Sequence, residues 1–228
     1  MTLSRSVQDY LKAVLELAGA DGVASTGDLA QRLGVAAPSV TGMVRRLAAA
    51  RPALLVYAKH RGARLTPLGR RRALEIVRHH RLIELFLFEI LGVPWDEVHD
   101  EAERLEHAIS EPLEARMAER LGHPAVDPHG HPIPSLDGRM LRRHLTPLDR
   151  LEVGQAARIA QVSDHDPALL RHLGQLGLTP GREIRLIERA PFGGPLTLEV
   201  GGEARRLGPE TAAWLQVALL PAEPKAAT

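Results

Sequence analysis

The segment VHDEAERLEH, residues 98–107, combines two histidines with four carboxylates. If it is helical, a rotation of about 100° per residue brings four of these side chains to one arc beside the apolar positions, where a neighbouring helix can meet them. The four are His99, Glu103, Glu106 and His107. Carboxylates and imidazoles at one-turn spacing suit a divalent ion such as Mn²⁺, Fe²⁺, Co²⁺ or Zn²⁺. The alternatives are a polar helix flank with hydrogen-bonded histidines and an enzyme active site.

The enzyme alternative rests on the string ExxEH at residues 103–107, which differs by one residue from the HxxEH motif of inverted zinc proteases. Glu103 stands where that motif has its first histidine. A metal-dependent hydrolase that uses Glu103, Glu106 and His107 is therefore the second candidate function. The chain has no Gly-rich phosphate loop and no nucleophile elbow, so the sequence favours a protein that is not an enzyme. Metal-dependent retention of DNA, as opposed to hydrolytic turnover, would separate the two candidates.

A long helix is predicted before this segment, from Pro67 to residue 92, and His80 and Glu84 share one of its faces because they lie four residues apart. The middle third of the chain, residues 73–140, holds 6 Lys and Arg against 14 Asp and Glu, together with seven histidines. An acidic, histidine-rich region suits a cation. The chain has no cysteine, so the ligands must be nitrogen or oxygen. The apolar residues 85–91 suit a helical dimer interface.

The first third has the opposite charge, because residues 1–72 hold 12 Lys and Arg against 4 Asp and Glu. A predicted helix at 4–18 is followed by two short helices joined by a tight turn, and then by two short strands at 54–58 and 63–66. This pattern indicates a winged helix-turn-helix. The basic charge favours DNA over the alternative partner, another protein. The residues expected to approach base edges or phosphates are Pro38, Ser39, Thr41, Gly42, Arg45, Arg46, Lys59, His60, Arg61 and Arg64.

The last third shows the alternation typical of strands in residues 157–163, 183–190, 195–201 and 203–208, with a short helix and turn within 169–181. No apolar run reaches the ~18–20 residues that span a bilayer. The first residues also lack the apolar core of a secretory signal. We therefore expect a soluble, cytoplasmic protein with no membrane partner.

The chain resembles the diphtheria-toxin-repressor family of iron- and manganese-dependent regulators over nearly its whole length. The resemblance lies in the winged-helix start and in three blocks at matching spacing: HHRLIE at 79–84, VHDEAERLEH at 98–107 and DPHGHPIPSLDG at 127–138. It implies a homodimeric repressor that senses Mn²⁺ or Fe²⁺ and binds a palindromic operator in double-stranded DNA.

The fold that this resemblance implies is mainly α with small β parts. The implied parts are a winged-helix DNA-binding domain (1–72), a helical metal-binding and dimerisation domain (73–140), a linker (141–150), an SH3-like, FeoA-like β-barrel (151–222) and a tail (223–228).

The resemblance also implies two metal sites. The activating site would consist of Asp9, Glu103, Glu106 and His107. The ancillary site would consist of His80, Glu84, His99 and Asp166, the last from the C-terminal domain. The family's second C-terminal ligand is a glutamine that aligns with Leu169, so Asp164 or His165 would have to substitute for it. His123, His129 and His131 are interpreted as loop residues.

Four departures from the family pattern bear on the metal and on the DNA sequence. Asp9 and Glu103 replace a methionine and a cysteine of the iron repressors, and this exchange of sulfur for oxygen favours Mn²⁺, with Fe²⁺ as the alternative and Co²⁺, Zn²⁺ or Cd²⁺ as substitutes in vitro. Lys12 stands where the manganese regulators have a glutamate, so the two-site layout of the iron repressors is expected in place of a close binuclear site. Gly42 replaces the glutamine that iron repressors use in DNA recognition, so their operator sequence does not carry over.

Overall fold

The computed structural model describes residues 3–19 and 21–221, so the predicted tail at 223–228 lies outside the described residues. The chain divides into two compact units. The first contains Met1–His80, Glu103–Arg116 and Pro134–Met140, and the second contains Arg81–Ala102, Met117–Ile133 and Leu141–Thr228. Among the described helices, none is both long and apolar enough to cross a membrane.

The first unit begins with three helices, α1 (Arg5–Leu17), α2 (Thr26–Leu33) and α3 (Ala37–Ala49). Local sequence fixes both ends of α2. Ser25 Oγ accepts a hydrogen bond from the Asp28 backbone N–H at 3.0 Å, and Gly34 ends the helix in the left-handed conformation with φ 63°. Glycine adopts this conformation without strain because it has no Cβ. Local sequence therefore fixes the turn between α2 and α3.

The predicted wing is confirmed as an antiparallel pair, β1 (Leu55–Ala58) and β2 (Gly62–Leu65), with Leu55 opposite Leu65. The Arg61 N–H closes its turn by donating to Ala58 O at 3.0 Å. The three helices and the wing share one apolar core, since the apolar positions of each helix recur at helical spacing. That core includes Leu11, Val14, Leu29, Val40, Val44, Leu47 and Leu55.

Three helices follow the wing: α4 (Pro67–Glu89), α5 (Val98–Leu105) and α6 (Glu111–Arg120). The sequence of residues 95–109 predicts one continuous helix, but α5 begins at Val98 and ends at Leu105. Beyond that point the Ala108 N–H donates to Leu105 O at 2.9 Å, which is the three-residue spacing of a tight turn. In a continuous helix Leu105 would lie on the buried apolar side and would be less exposed than Glu106. The structure shows the opposite, because Glu106 is 1 % exposed and Leu105 is 38 % exposed. Glu106 and His107 therefore come from a turn.

The second unit contains six strands: β3 (Thr146–Pro147), β4 (Ala156–Val162), β5 (Glu183–Arg189), β6 (Leu196–Val200), β7 (Glu203–Leu207) and β8 (Leu215–Leu219). They form one antiparallel sheet in the order β3-β8-β4-β5-β6-β7. Helix α7 (Pro167–Gln175) precedes β5, and the short helix α8 (Pro209–Ala212) precedes β8. The expected SH3-like domain is confirmed. Its core includes Ile159, Leu170, Leu173, Leu186, Leu198 and Val217.

No strand is predicted from the sequence at β8, although this strand lies between β3 and β4, with Val217 opposite Ile159. Leu215 and Val217 are fully buried, and Gln216 between them is half-buried. This alternation is the signal of a strand, but it covers only five residues. A pattern this short becomes convincing only when its partner strands are known.

Candidate metal centres and nucleic-acid interface

Three of the four side chains assigned to the activating site come together in the first unit. His107 Nε2 lies 2.9 Å from Asp9 Oδ1 and 3.4 Å from Glu106 Oε1, and one ligand atom of each residue lies within 4.8 Å of the others. Asp9 belongs to α1, whereas Glu106 and His107 belong to the turn after α5. Two carboxylates and one imidazole can therefore contact a single divalent ion.

The other ring nitrogen of His107 fixes the orientation of the imidazole. Nδ1 lies 2.5 Å from Gln8 Oε1. With Nδ1–H donating to Gln8, the Nε2 lone pair remains on the side of the carboxylates. Within the described residues this buried Nε2 makes no hydrogen bond of good geometry. Metal-bound imidazoles are held in this way, with the second nitrogen donating to an oxygen, so the donor set and the ring orientation fit a divalent ion.

The Asp9 carboxylate is partly buried, which disfavours its ionised form. Burial raises the pKa of Asp9, and the neighbouring Glu106 and Glu103 raise it further, whereas His107 and Arg5 act in the opposite direction. An added cation would favour the ionised carboxylate, because opposite charge lowers the pKa of an acid. The electrostatics of Asp9 therefore also fit a metal site.

Glu103, the fourth side chain of the set, binds Lys12, for which no contact is predicted from the sequence. Lys12 Nζ donates to Glu103 Oε1 at 2.8 Å and to Glu106 Oε2 at 2.8 Å, and it lies 3.2 Å from His80 Nδ1. Burial alone lowers the pKa of Lys12, but the charges of Glu106 and Glu103 outweigh it, so the net shift is upward. The ammonium is therefore a fixed positive charge within the cluster.

His80, which the resemblance assigns to the ancillary site, contacts the activating set. Its Nδ1 lies 2.6 Å from Glu106 Oε2, and the residue is buried. His80 belongs to α4. The first cluster thus draws side chains from α1, α4, α5 and the turn that follows α5, all within the first unit.

A second cluster, in the second unit, contains Glu84, His99 and Asp164. His99 Nδ1 lies 3.1 Å from Glu84 Oε1 and 3.5 Å from Asp164 Oδ2. Burial alone lowers the pKa of His99, but hydrogen bonds to Asp164 and Glu84 raise it to about 10. Burial likewise opposes ionisation of Asp164, yet His99 holds the pKa of that carboxyl well below its usual range. One imidazole between a buried carboxylate, Glu84, and a half-buried one, Asp164, is a second donor set suited to a divalent ion.

The carboxylate of the C-terminal domain that lies near His99 is that of Asp164, whereas the resemblance implies Asp166 at this position. The Asp166 carboxylate caps α7 and accepts hydrogen bonds from the N–H groups of Ala168 and Leu169 at 2.8 and 3.2 Å. An aspartate satisfied by the first amides of a helix is stabilised there by hydrogen bonding and by the helix dipole. The prediction for Asp166 is therefore corrected: it is the capping residue of α7, and Asp164 faces His99.

His129 and His131 lie in a loop, as predicted, but both rings approach the second cluster. His129 is fully buried, and its Nδ1 lies 3.8 Å from Glu84 Oε1. Its Nε2 lies 2.7 Å from Trp95 O. His131 Nδ1 lies 3.6 Å from Asp164 Oδ2. The interpretation as plain loop residues is incomplete, since these imidazoles add two nitrogen atoms near the three residues of the second cluster.

Asp127 and Gly130 determine the shape of this loop. Asp127 Oδ1 accepts hydrogen bonds from the backbone N–H groups of His129 and His131, each at 2.9 Å. Gly130 has φ 86°, and a Cβ at this position would collide with the Ala160 carbonyl. The string DPHGH thus contains a signal for an ordered loop: an aspartate that accepts from later amides and a glycine where only glycine fits.

The residues predicted to bind DNA lie on α3 and on the wing. The exposed ones on α3 are Pro38, Ser39, Gly42, Arg45 and Arg46, and those on the wing are Lys59, His60, Arg61 and Arg64. Thr41 is half-buried, and its hydroxyl donates to Ala37 O at 3.1 Å. An exposed helix with small residues near its start and a basic hairpin suit base contacts and phosphate contacts respectively.

A winged helix-turn-helix with an exposed basic face, followed by clusters of histidine and carboxylate, defines the class of metal-responsive DNA-binding regulators. Three family models match successive parts of the chain. They are the iron dependent repressor N-terminal DNA binding domain at residues 2–63, the iron dependent repressor metal binding and dimerisation domain at residues 66–135, and the FeoA domain at residues 146–219.

Individual relatives extend over most of the chain. The iron-dependent repressor IdeR of Mycobacterium leprae (strain TN) is 32 % identical over 206 residues, which cover 85 % of this chain and 88 % of the relative. The diphtheria toxin repressor of Corynebacterium jeikeium (strain K411) is 30 % identical over 201 residues, which cover 78 % of this chain and 83 % of that relative.

Solved structures show the same relationship. A manganese-dependent transcriptional repressor in complex with manganese matches with a TM-score of 0.85 and 38 % identity, covering 94 % of this chain and 100 % of that one. ScaR with bound Zn²⁺ matches with a TM-score of 0.77 and 33 % identity, covering 94 % of this chain and 99 % of the ScaR chain.

The chain belongs to the diphtheria-toxin-repressor family of iron-dependent repressors, as its resemblance to that family predicted. Its function is that of a metal-sensing, DNA-binding transcriptional repressor. Nothing in these matches supports the metal-dependent hydrolase considered as an alternative.

Proposed function

We propose that this protein is a homodimeric repressor that binds a palindromic operator when Mn²⁺ is bound by Asp9, Glu106 and His107, with Fe²⁺ as the alternative activating ion. The observation that carries the proposal is the convergence of α1 with the turn after α5. Asp9 Oδ1 and His107 Nε2 lie 2.9 Å apart although they are far apart in the sequence.

The choice of Mn²⁺ rests on the chemistry of the donor atoms. The cluster offers carboxylate oxygens and an imidazole nitrogen, and the chain has no cysteine. Hard oxygen donors suit Mn²⁺, whereas thiolates select softer ions. A 38 % identical structure is that of a manganese-dependent repressor with manganese, and ScaR binds Zn²⁺ and Cd²⁺. We expect Co²⁺, Zn²⁺ and Cd²⁺ to bind the present chain in vitro as well.

The same residues link the metal site to the recognition helix. The bound ion would supply the positive charge that lets Asp9 and Glu106 approach as ionised carboxylates. Asp9 lies on α1, whose Val7 and Val14 share an apolar core with Val40 and Val44 of α3. A change in the position of α1 therefore changes the packing of α3. Metal and DNA then favour the same arrangement of these helices, which couples their affinities.

Each recognition helix would enter one major groove. In this arrangement Ser39 and Gly42 approach base edges, while Arg45 and the wing residues Lys59 and Arg61 contact phosphates. Two copies would bind half-sites about 34 Å apart, which requires a palindromic operator. The exposed apolar side chains of Phe88 and Leu91 are the proposed contribution of α4 and its end to the dimer interface.

The proposed domain bounds follow from the sequence: 1–72 for DNA binding, 73–140 for metal binding and dimerisation, 141–150 for the linker and 151–222 for the SH3-like domain. The three family models match 2–63, 66–135 and 146–219, which supports this order. Strand β3 begins at Thr146, so the linker proposed at 141–150 includes the first strand of the sheet.

We also propose that Glu84, His99 and Asp164 hold the ancillary ion, with Asp164 in place of Asp166. The support is the spacing of the His99 ring between two carboxylates, at 3.1 and 3.5 Å. His129 and His131 are the nearest additional nitrogen donors. This ion would stabilise the second unit and is not required for the first cluster to bind metal.

The experiment that tests the main proposal selects DNA sites from a random library with Mn²⁺ or with a chelator, and then measures gel shifts on the selected site. The wild-type chain should enrich a palindrome only with Mn²⁺. Glu106→Gln and His107→Gln should each lose the Mn²⁺-dependent shift, while Glu119→Gln, which changes an exposed carboxylate of α6, should retain it. A Mn²⁺ response that survives in both cluster variants would overturn the proposal.

A further inference from the structure

We propose that the Lys12 ammonium is a built-in cation that occupies one of two adjoining cation positions in the first cluster, so that the activating site accepts a single divalent ion. This inference rests on the proposed function, because it concerns the metal content of the same site.

The first observation is the set of groups around Lys12 Nζ. The ammonium lies 2.8 Å from Glu103 Oε1, 2.8 Å from Glu106 Oε2 and 3.2 Å from His80 Nδ1. Two carboxylates and an imidazole are a donor set for a divalent ion. An ammonium has three N–H donors and no acceptor, and three carboxylate oxygens accept from it: Glu103 Oε1, Glu106 Oε2 and, at 3.1 Å, Glu106 Oε1. Lys12 Nζ thus lies at the centre of a group of side chains of the kind that binds metal ions.

The second observation is that Glu106 faces two positions at once. Its Oε1 lies 3.4 Å from His107 Nε2, on the side of Asp9, and 3.1 Å from Lys12 Nζ. Its Oε2 lies 2.8 Å from Lys12 Nζ and 2.6 Å from His80 Nδ1. One buried carboxylate therefore bridges the position proposed for the metal and the position filled by the ammonium.

Charge provides the third argument. The cluster contains three carboxylates, those of Asp9, Glu103 and Glu106, and one ammonium. A single divalent ion brings the total to neutrality, whereas a second one would leave buried positive charge. Lys12 is 5 % exposed and Glu106 is 1 % exposed, and uncompensated charge at such depth is costly. Lys12 therefore sets the number of ions as well as holding the carboxylates together before metal binds.

The test compares Mn²⁺ stoichiometry and electron paramagnetic resonance spectra of the full-length wild type, Lys12→Glu, Lys12→Gln and Lys12→Arg, each after removal of metal and titration with Mn²⁺. Two Mn²⁺ ions bridged by one carboxylate are magnetically coupled, so the spectrum shows whether the first cluster holds a pair of ions. The wild type should show no coupled pair. Lys12→Glu, which replaces the cation with a further carboxylate, should gain one equivalent of Mn²⁺ and a coupled spectrum. Lys12→Arg, which retains the positive charge, should behave as the wild type.

Two results would overturn the inference: a coupled pair in the wild type, or no additional Mn²⁺ in both Lys12→Glu and Lys12→Gln. Circular dichroism shows whether each variant is folded. If Lys12→Glu does not fold, Lys12→Gln still tests the inference. Asp9→Asn separates this inference from the proposed function. If Asp9→Asn leaves Mn²⁺ binding unchanged, the proposed activating site is wrong. If it removes one equivalent while the Lys12 variants gain none, only the role of Lys12 is wrong.

Discussion

Lys12 and Glu106 form an ion pair that is almost completely buried. Their Nζ and Oε2 atoms lie 2.8 Å apart, and the side chains are 6 % and 0 % exposed. Lysine is rarely buried unless it is paired. Removal of one partner leaves a buried charge without compensation, whereas the loss of an exposed pair costs little. The composition of the proposed metal site is therefore tied to the stability of the metal-free protein.

The first prediction concerns that stability. Lys12→Met should lower the free energy of unfolding of the metal-free protein by about 3 kcal/mol, because Glu106 and Glu103 lose their shared cation. Denaturant unfolding in the presence of a chelator measures the change. Arg158→Gln is the control: Arg158 and Glu183 form an ion pair at 2.6 Å whose side chains are 53 % and 60 % exposed, so its loss should cost less than about 1 kcal/mol. Equal losses in the two variants would contradict the prediction.

The second prediction concerns the choice of metal. Asp9→Cys should shift the preference of the first cluster from Mn²⁺ towards Fe²⁺ and softer ions such as Cd²⁺, since a thiolate replaces a hard oxygen donor. Competition titrations between Mn²⁺ and Cd²⁺ measure the order of affinities. Glu119→Cys places a thiol at an exposed position on α6 and should leave the order unchanged. If Asp9→Cys gives the wild-type order, the argument from ligand hardness is wrong.

The third prediction is a pH dependence at a buried carboxylate outside both clusters. Glu114 is 1 % exposed, and its oxygens lie 2.5 Å from Arg78 Nε and 3.1 Å from His79 Nε2. Burial alone raises the pKa of Glu114, but hydrogen bonds from His79 and Arg78 outweigh it, so the pKa falls below its usual 4.5. A carboxyl group whose pKa is lower in the folded state than in the unfolded state stabilises the fold at pH values above the unfolded-state pKa. This stabilisation is lost as the pH falls through the folded-state pKa.

Glu114→Gln should therefore be less stable than the wild type by about 2 kcal/mol at pH 7, and the difference should shrink as the pH falls below 4.5. Urea unfolding at several pH values measures it. The exposed Glu119→Gln should show neither effect. A difference between Glu114→Gln and the wild type that stays constant down to low pH would rule out this account of Glu114.

The fourth prediction distinguishes two aspartates that lie two residues apart. In a Glu106→Gln background, Asp164→Asn should weaken Mn²⁺ binding at the ancillary site by about tenfold or more. Asp166→Asn should leave that affinity unchanged, and it should also preserve the fold because asparagine caps helices as well as aspartate. Calorimetric titration measures both affinities. Equal weakening, or none in either variant, would contradict the assignment of Asp164.

The first third of the chain could be predicted well because local rules decide it. The Ser25 cap, the left-handed Gly34 and the apolar spacing of α1 and α3 each act within a few residues. The strands of the second unit that show long alternation, such as β4 and β5, could be predicted for the same reason. The short β8 could not, because its identity depends on the strands on both sides of it.

The side chains of the clusters were only partly predictable, since they depend on tertiary contacts. A rotation of about 100° per residue fails once the chain leaves α5 at Leu105, so the directions of Glu106 and His107 could not be derived from a helix. Lys12 looks like an ordinary charged residue in the sequence, and only the neighbouring carboxylates explain its burial. Asp164 and Asp166 have the same chemistry, and only the start of α7 shows which of them is used as a cap.

The central claim is that Asp9, Glu106 and His107 couple metal binding to DNA binding, and reciprocity tests it most directly. The measurement is the affinity for the selected operator with and without Mn²⁺, together with the affinity for Mn²⁺ with and without the operator. We predict that both affinities rise by the same factor, about tenfold or more, in the wild type, and that Asp9→Asn abolishes this coupling while retaining weak, salt-sensitive DNA binding. Coupling of wild-type size in Asp9→Asn, or a wild type whose operator affinity does not respond to Mn²⁺, would contradict the account.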